Sequence, residues 1–237
     1  MPRGALGPRV ILLDALGTLV ALEPPAPRLR VELADRFGLD VSESDAERAI
    51  TAEIAYYRAH LDEGRDPASL GALRRQCAEV LRSALPADGL DLDALVGALL
   101  ASLRFTPFAD VRPALTDARE RGQGLVVVSN WDASLHGVLH ALELSPLLDG
   151  ILTSAEAGSR KPAPAIFEEA LALVGAGPEQ AIHVGDSLEE DVAGARAAGI
   201  EPVLVRRDGG PTAPGVRTIS SLDELAAVDL PAGPKLI

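Results

Sequence analysis

Lysine is almost missing from this sequence. It stands only at Lys161 and Lys235, and arginine supplies the rest of the 22 basic residues against 35 acidic ones. The net charge of −13 disfavours a non-specific nucleic-acid binder, which needs a basic stripe to displace counterions. In so lysine-poor a chain, an internal lysine is informative. Cysteine occurs once, at Cys77, which rules out an intrachain disulfide and a cysteine-rich metal site. A free thiol fits a reducing cytoplasm. Aromatic residues make up 3%, so leucine, valine and alanine must fill the core. No uncharged apolar run reaches the roughly 18 residues of a spanning helix, so no membrane association is expected. The apolar stretch near the N-terminus is broken by Asp14 and shows no small-residue cleavage site, so a signal peptide is not expected either.

What the chain does have is length and alternation. Its 237 residues suit one large domain or a core with an insert. A chain of that size buries roughly three quarters of its unfolded surface. VILLD (10–14) is a short uninterrupted apolar run, as expected of a strand buried on both faces. EPPAP (23–27) reads as a break. Residues 28 to about 105 then read as successive helices, marked by starts at Ser42 or Ser44 and at Pro67, and by stops at Gly38 and Gly64. From 106 onward, strand-like runs at 124–129, 150–154, 181–186 and 202–206 alternate with helical segments at 112–122, 132–142, 164–174 and 189–198. That alternation predicts an α/β fold, with a parallel three-layer Rossmann-like core of residues 1–22 and 106–237. The helical block 23–105 is an insertion after the first strand, expected to be a cap. Substrate would be admitted between cap and core.

In open parallel sheets, ligands gather at the carboxyl ends of the strands. The first strand ends in Asp14, and the second in Ser129 and Asn130. Lys161 follows the third, in SRKPAP, and the fourth ends in Gly185 and Asp186, with Glu190 and Asp191 close behind. Each is an ordinary strand terminator alone. Together they deliver an acid, a hydroxyl, an ammonium and a second acid to one rim. Asp14 and Asp186, with a backbone carbonyl and waters, suit octahedral Mg²⁺. A carboxylate can act as a nucleophile, and Ser129, Asn130 and Lys161 are candidates to hold phosphoryl oxygens. Gly17 permits a sharp turn beside an anion.

The segments LLDALGTL (12–19), VVVSN (126–130), SRKPAPAIFEEAL (159–171) and HVGDSLEEDVAGARAAGI (183–200) stand in an order and spacing that resembles the haloacid dehalogenase superfamily of hydrolases. The resemblance implies Asp14 as nucleophile, Thr18 and Ser129 as partners of phosphate or nucleophile, and Lys161 as the bridge between charges. It implies Mg²⁺ held by Asp14, the Leu16 carbonyl and Asp186, with Asp191 as a second acid at the metal; Glu190 is the other candidate for that last place. A helical cap after the first motif matches the family's first cap type. A small phosphorylated molecule is the implied substrate. Nothing in the sequence indicates an oligomeric state.

One position departs from the pattern. The family's phosphatases carry an aspartate two residues after the nucleophile, which protonates the leaving oxygen and later activates water. Here it is Leu16. General acid–base help is worth about 10²–10⁴ in rate, so reduced turnover of alkyl phosphates is expected. Phosphonoacetaldehyde hydrolases, which also lack this acid, use a cap lysine, and no lysine precedes Lys161. The family's 2-haloacid dehalogenases lack it too, but carry a neutral residue in place of Asp186 and an arginine near the start of the cap, a role open to Arg28 or Arg30. A further alternative is a binding or regulatory protein that keeps the fold without turnover.

Among lesser candidates, His136 and His140 read as surface histidines rather than zinc ligands. His183 and Cys77 read as packed core residues. Trp131 reads equally as a pocket wall or as packing.

Overall fold

The computed structural model describes residues 9–210 and 212–228. Strand β1 (Val10–Leu13) is buried along its whole length, which is why its sequence is uninterruptedly apolar. It pairs in parallel with β4 (Gly124–Ser129) on one side and β6 (Ala181–Gly185) on the other. With β5 (Gly150–Thr153), β7 (Glu201–Val205) and β8 (Arg217–Ile219), the sheet runs β5-β4-β1-β6-β7-β8, parallel throughout. The α/β class and Rossmann-like sheet expected from the sequence are present. Two short strands, β2 (Val20–Leu22) and β3 (Phe105–Pro107), pair where the chain leaves and re-enters the sheet region.

The chain divides into two compact units: Met1–Ala21, Pro107–Trp131 and Leu135–Ile237; and Leu22–Thr106 with Asp132–Ser134. The second unit contains α1 (Pro25–Phe37), α2 (Glu43–His60), α3 (Pro67–Ala84) and α4 (Leu92–Ser102). Helix starts follow local chemistry. Ser42 accepts a hydrogen bond from the Asp45 amide, Asp91 accepts one from the Ala94 amide, and Asp66 with Ser69 forms a capping box ahead of Pro67. Helix α1 begins at Pro25, inside the segment the sequence presents as a break. Proline tolerates the first turn, where its missing N–H costs nothing. Leu29, Leu33, Ile50, Leu73, Leu81 and Leu95 lie in the apolar core of this unit.

In the first unit, helix α5 (Val111–Glu120) precedes β4, and α6 (Leu135–Ala141) follows it. The segment 132–134, expected to be helical, is not. Asp132 accepts a hydrogen bond from the Ser134 amide, a local turn that competes with the helix. A short helix, α7 (Ser154–Ala157), directly follows β5, and α8 (Pro164–Leu173) precedes β6. After β6 the chain makes a π-turn, Leu188–Val192, before the short α9 (Ala193–Ala197).

Candidate active site

The carboxyl ends of β1, β4 and β6 meet at one place in the first unit. Asp14 leaves β1 with its amide bonded to the Val184 carbonyl at 2.9 Å, which fixes its backbone to the neighbouring strand. The residue is 6% exposed. Ser129, at the end of β4, donates its hydroxyl to Asp14 Oδ1 at 2.9 Å, and the Lys161 ammonium donates to the same oxygen at 2.6 Å. Among the described residues, no hydrogen bond reaches Oδ2. One oxygen is therefore held while the other is left available.

Lys161 is 1% exposed. It also donates to Asp191 Oδ1 at 2.6 Å, so two carboxylates flank one ammonium. Its backbone is gripped by Asn130: the Lys161 amide donates to Asn130 Oδ1 at 2.8 Å, and Asn130 Nδ2 donates to the Lys161 carbonyl at 3.0 Å. The amide group that the sequence offers for phosphate binding is thus engaged with the lysine loop, and its observed work is to place Lys161.

Asp191 is buried and strongly tied. Its Oδ1 also lies 2.9 Å from His183 Nε2, and its Oδ2 accepts from the Ser187 amide at 2.9 Å. An acceptor at Nε2 selects the tautomer that carries its proton there. His183 does sit in the core, as expected, but its partner makes it part of the site. A histidine inside an otherwise apolar strand is the signal the sequence offers, and it does not distinguish a packed imidazole from a bonded one. The π-turn explains why Asp191, not the exposed Glu190, faces inward. The Ser187 carbonyl accepts from both the Asp191 and Val192 amides, and the extra residue of the turn rotates Asp191 toward β6. Gly185 makes room for it, because a Cβ there would stand 2.1 Å from Asp191 Cγ.

Electrostatics follow from this arrangement. Burial is the main force on Asp14 and pushes its carboxyl up to about 6, against the pull of the Lys161 ammonium. Burial alone would also raise Asp191, but Lys161 and His183 hold it below the usual carboxylate range. Burial would weaken the Lys161 ammonium, and the two carboxylates outweigh that effect. Asp186 is raised, first by burial and then by the charge of Asp191. One oxygen from each of Asp14, Asp186 and Asp191 lies within 4.8 Å of the others, a set able to hold a cation. Among the described residues, no other such set of acidic, histidine or cysteine side chains occurs.

The turn after Asp14 completes the site. Gly17 has φ +83°, and its amide donates to the Val20 carbonyl at 2.8 Å. Thr18 is fully buried, and among the described residues its Oγ1 has no hydrogen-bond partner. Leu16 is 37% exposed, a large apolar side chain beside a polar cluster, and its backbone bridges to Val20.

The remaining candidates lie elsewhere. His136 pairs with Glu156 at 3.0 Å near the surface. Trp131 is buried and its carbonyl accepts from the Ala155 amide, which favours packing over a pocket wall. Arg28 bonds Glu23 at 2.6 Å, and Arg30 bonds the Val41 carbonyl at 2.8 Å, both inside the helical unit. Cys77 is buried there beside Glu53, a buried acid that no motif in the sequence marks.

An aspartate held at one oxygen by a serine and a buried lysine, with further acids at the next strand end, stands at the carboxyl edge of a Rossmann-like sheet. The model of the haloacid dehalogenase-like hydrolases matches residues 8–199, and the chain belongs to that family. It is 46% identical over 91 residues to the human haloacid dehalogenase-like hydrolase domain-containing protein 3, covering 38% of this chain and 36% of that one. It is 36% identical over 121 residues to the ribulose-1,5-bisphosphate 5-phosphatase of Halopiger xanaduensis, covering 50% of each. The chain thus aligns with half or less of the length of these relatives. Among solved structures, the crystal structure of a HAD phosphatase from Thermococcus onnurineus superposes with a TM-score of 0.66 at 24% identity, over 92% of this chain and 96% of that one. Among the described residues, no helix is long and apolar enough to cross a membrane.

Proposed function

We propose that this hydrolase is a Mg²⁺-dependent phosphohydrolase acting on a small phosphorylated molecule, with the helical unit as its cap. The single observation that carries the reading is the asymmetry of Asp14: Ser129 and Lys161 hold Oδ1, and Oδ2 is left to attack. Bond formation from Oδ2 to phosphorus, with departure of the leaving oxygen, gives an aspartyl-phosphate. Water then attacks that phosphorus and releases phosphate and the free carboxylate. The Lys161 ammonium offsets charge gathered on the phosphoryl oxygens, and the unpartnered Thr18 hydroxyl is a donor for one of them.

The acidic cluster fits a hard divalent cation, and its donors are all oxygen. Asp14 and Asp186 would hold it, because Asp191 is already tied to Lys161, His183 and Ser187. The bound cation supplies charge screening between a negative nucleophile and a negative phosphate. The relatives named as phosphatases support the substrate class. A lone buried thiol suits a cytoplasmic setting.

Leu16 leaves the departing oxygen without a proton donor at the usual place, so the preferred substrates are those with good leaving groups, such as acyl or aryl phosphates. A dehalogenase reading is disfavoured by Asp186 in the acidic cluster and by the engagement of Arg28 and Arg30 within the helical unit. The test is hydrolysis of acetyl phosphate and p-nitrophenyl phosphate, with and without EDTA, in wild type and Asp14→Asn. Activity lost in both controls is the expected result. Halide release from a 2-haloacid that ignores EDTA would establish the dehalogenase instead. Mg²⁺ and vanadate binding without turnover would establish a binding protein.

A further inference from the structure

Two consecutive arginines leave the end of β7, and each reaches a backbone carbonyl of a different site loop. Arg206 Nη1 donates to the Asp186 carbonyl. Arg207 Nη2 donates to the Thr18 carbonyl at 2.7 Å, across 189 positions of sequence. The two loops they reach are pressed together, since a Cβ on Gly17 would meet Asp186 Oδ2 at 2.2 Å. Beside them lies a cavity of about 310 Å³, lined by Gly17, Phe108, Asp186, Arg206, Arg207 and Asp208 among others. On that side the loops face open space rather than packed side chains, so hydrogen bonds must do the work of holding them.

Arg207 is itself seated with care. Its Nη1 donates to both oxygens of Asp110 at 3.0 Å, and its guanidinium lies 3.8 Å over the Phe108 ring. Asp110 is anchored in turn by the Leu222 amide at 2.6 Å and the Ser221 hydroxyl at 2.9 Å. The Phe108 amide donates to the Leu19 carbonyl at 3.1 Å, which ties the stacking ring to the same turn that Arg207 grips. A planar fork with fixed donors suits this task, and a flexible ammonium cannot reproduce it.

We infer that Arg206 and Arg207 are positioning residues, a paired clamp that sets the spacing of the Asp14–Thr18 turn against the Asp186 loop. They act through backbone carbonyls and touch no reacting atom. The catalytic consequence rests on the reading of Asp14 and Asp186 given above, whereas the clamp itself does not.

The test compares Arg207→Lys with Arg119→Lys. Arg119 pairs with Asp149 at 2.5 Å, and Asp149 accepts from the Leu125 amide, so it is a similar anchored pair near the amino end of β4, away from the site. Hydrogen exchange of peptides covering 14–20 and 185–188 is read first, then Mn²⁺ affinity by calorimetry, then kcat and KM on p-nitrophenyl phosphate. Arg207→Lys should speed exchange at 14–20 by about 10-fold, the scale of a local opening that loses one or two hydrogen bonds. It should weaken Mn²⁺ binding and lower kcat with little change in KM. Arg119→Lys should change none of these. Unchanged exchange at 14–20, or faster exchange with Mn²⁺ affinity and kcat intact, overturns the inference. Should Arg207→Lys not fold, Phe108→Leu removes the stack alone and is judged by the same readouts. A wild type that neither binds Mn²⁺ nor turns over substrate defeats the proposed function, while the exchange data still decide the clamp.

Discussion

Gly17 and Asp186 occupy space that a single methyl group would close. An added Cβ at Gly17 would stand 2.2 Å from Asp186 Oδ2, and the glycine also holds φ +83°. The turn after Asp14 and the acid of the next strand end are thus in contact beside the proposed cation site. Gly122 has φ +75°, but a Cβ there meets nothing within 4 Å, so it isolates the backbone penalty. Gly122→Ala should cost about 1–2 kcal/mol, the ordinary penalty for a left-handed L-residue. Gly17→Ala should cost that much and in addition displace Asp186, weakening Mn²⁺ binding by at least about 10-fold, or 1.4 kcal/mol. Urea unfolding and Mn²⁺ calorimetry on both variants check the pair. Equal Mn²⁺ affinity in the two would show that the contact with Asp186 is tolerant.

Lys161 compensates two buried carboxylates, and its removal should reverse the pH dependence that Asp191 gives to stability and deepen the one that the already raised Asp14 gives. In wild type, Asp191 lies below its ordinary range in the folded protein. Its contribution to stability is present at neutral pH and lost as pH falls. In Lys161→Met, burial acts on Asp14 and Asp191 unopposed by the ammonium. Their folded pKa values rise, and stability is then lost as pH climbs. The variant should be inactive and less stable by about 3–5 kcal/mol near pH 8, the cost of stranding buried charge. The deficit should shrink near pH 5, where the carboxylates take up protons. Urea unfolding at the two pH values decides it, and a deficit that does not shrink in acid would falsify the charge assignment.

Much of this architecture is visible in the chain because it rests on local rules. Strands β1, β4, β6 and β7 show as apolar runs, since burial on both faces leaves no room for polar alternation. Asp14, Ser129, Lys161 and Asp186 show because strand ends in a parallel sheet converge. The parts that stay hidden depend on distance in sequence or on local exceptions. Strands β2, β3 and β8 are three residues each, too short for any period to declare itself. The π-turn at Leu188–Val192 reads as plain helix, because one extra residue per turn leaves no compositional mark. The bond of His183 to Asp191, the grip of Asn130 on the Lys161 backbone and the reach of Arg207 to Thr18 join segments whose proximity only the fold creates.

With Asp14 as the proposed nucleophile, its ionisation should set an acid limb for catalysis. Burial, opposed by Lys161, places that carboxyl at about 6. Only the ionised form can attack, so kcat/KM should climb with pH through that value and level off above it. A cation held at Asp14 and Asp186 favours the charged form, and saturating Mg²⁺ should therefore move the limb to lower pH. Profiles on p-nitrophenyl phosphate at low and saturating Mg²⁺ test both statements. A profile that is flat from about pH 5 to pH 7.5 at low Mg²⁺ would count against Asp14 as the titrating nucleophile.

Leu16 makes the sharpest prediction, because it separates the two steps of departure and attack by substrate. An aryl or acyl leaving group departs as a stable anion and gains little from a proton donor. An alkoxide needs one. Leu16 is partly exposed, so an aspartate can be placed there without opening the core. Leu16→Asp should raise turnover of an alkyl phosphate, such as a sugar phosphate, by about 10²-fold or more, the usual worth of a positioned acid. It should change the rate on acetyl phosphate far less. If both substrates gain equally, the limiting step is hydrolysis of the aspartyl-phosphate, where the new carboxylate serves as base for water. If wild type already turns over the alkyl phosphate at ordinary enzymatic rates, another group supplies the proton and the leucine is no handicap. The ratio of the two gains therefore locates the chemical step that the missing aspartate affects.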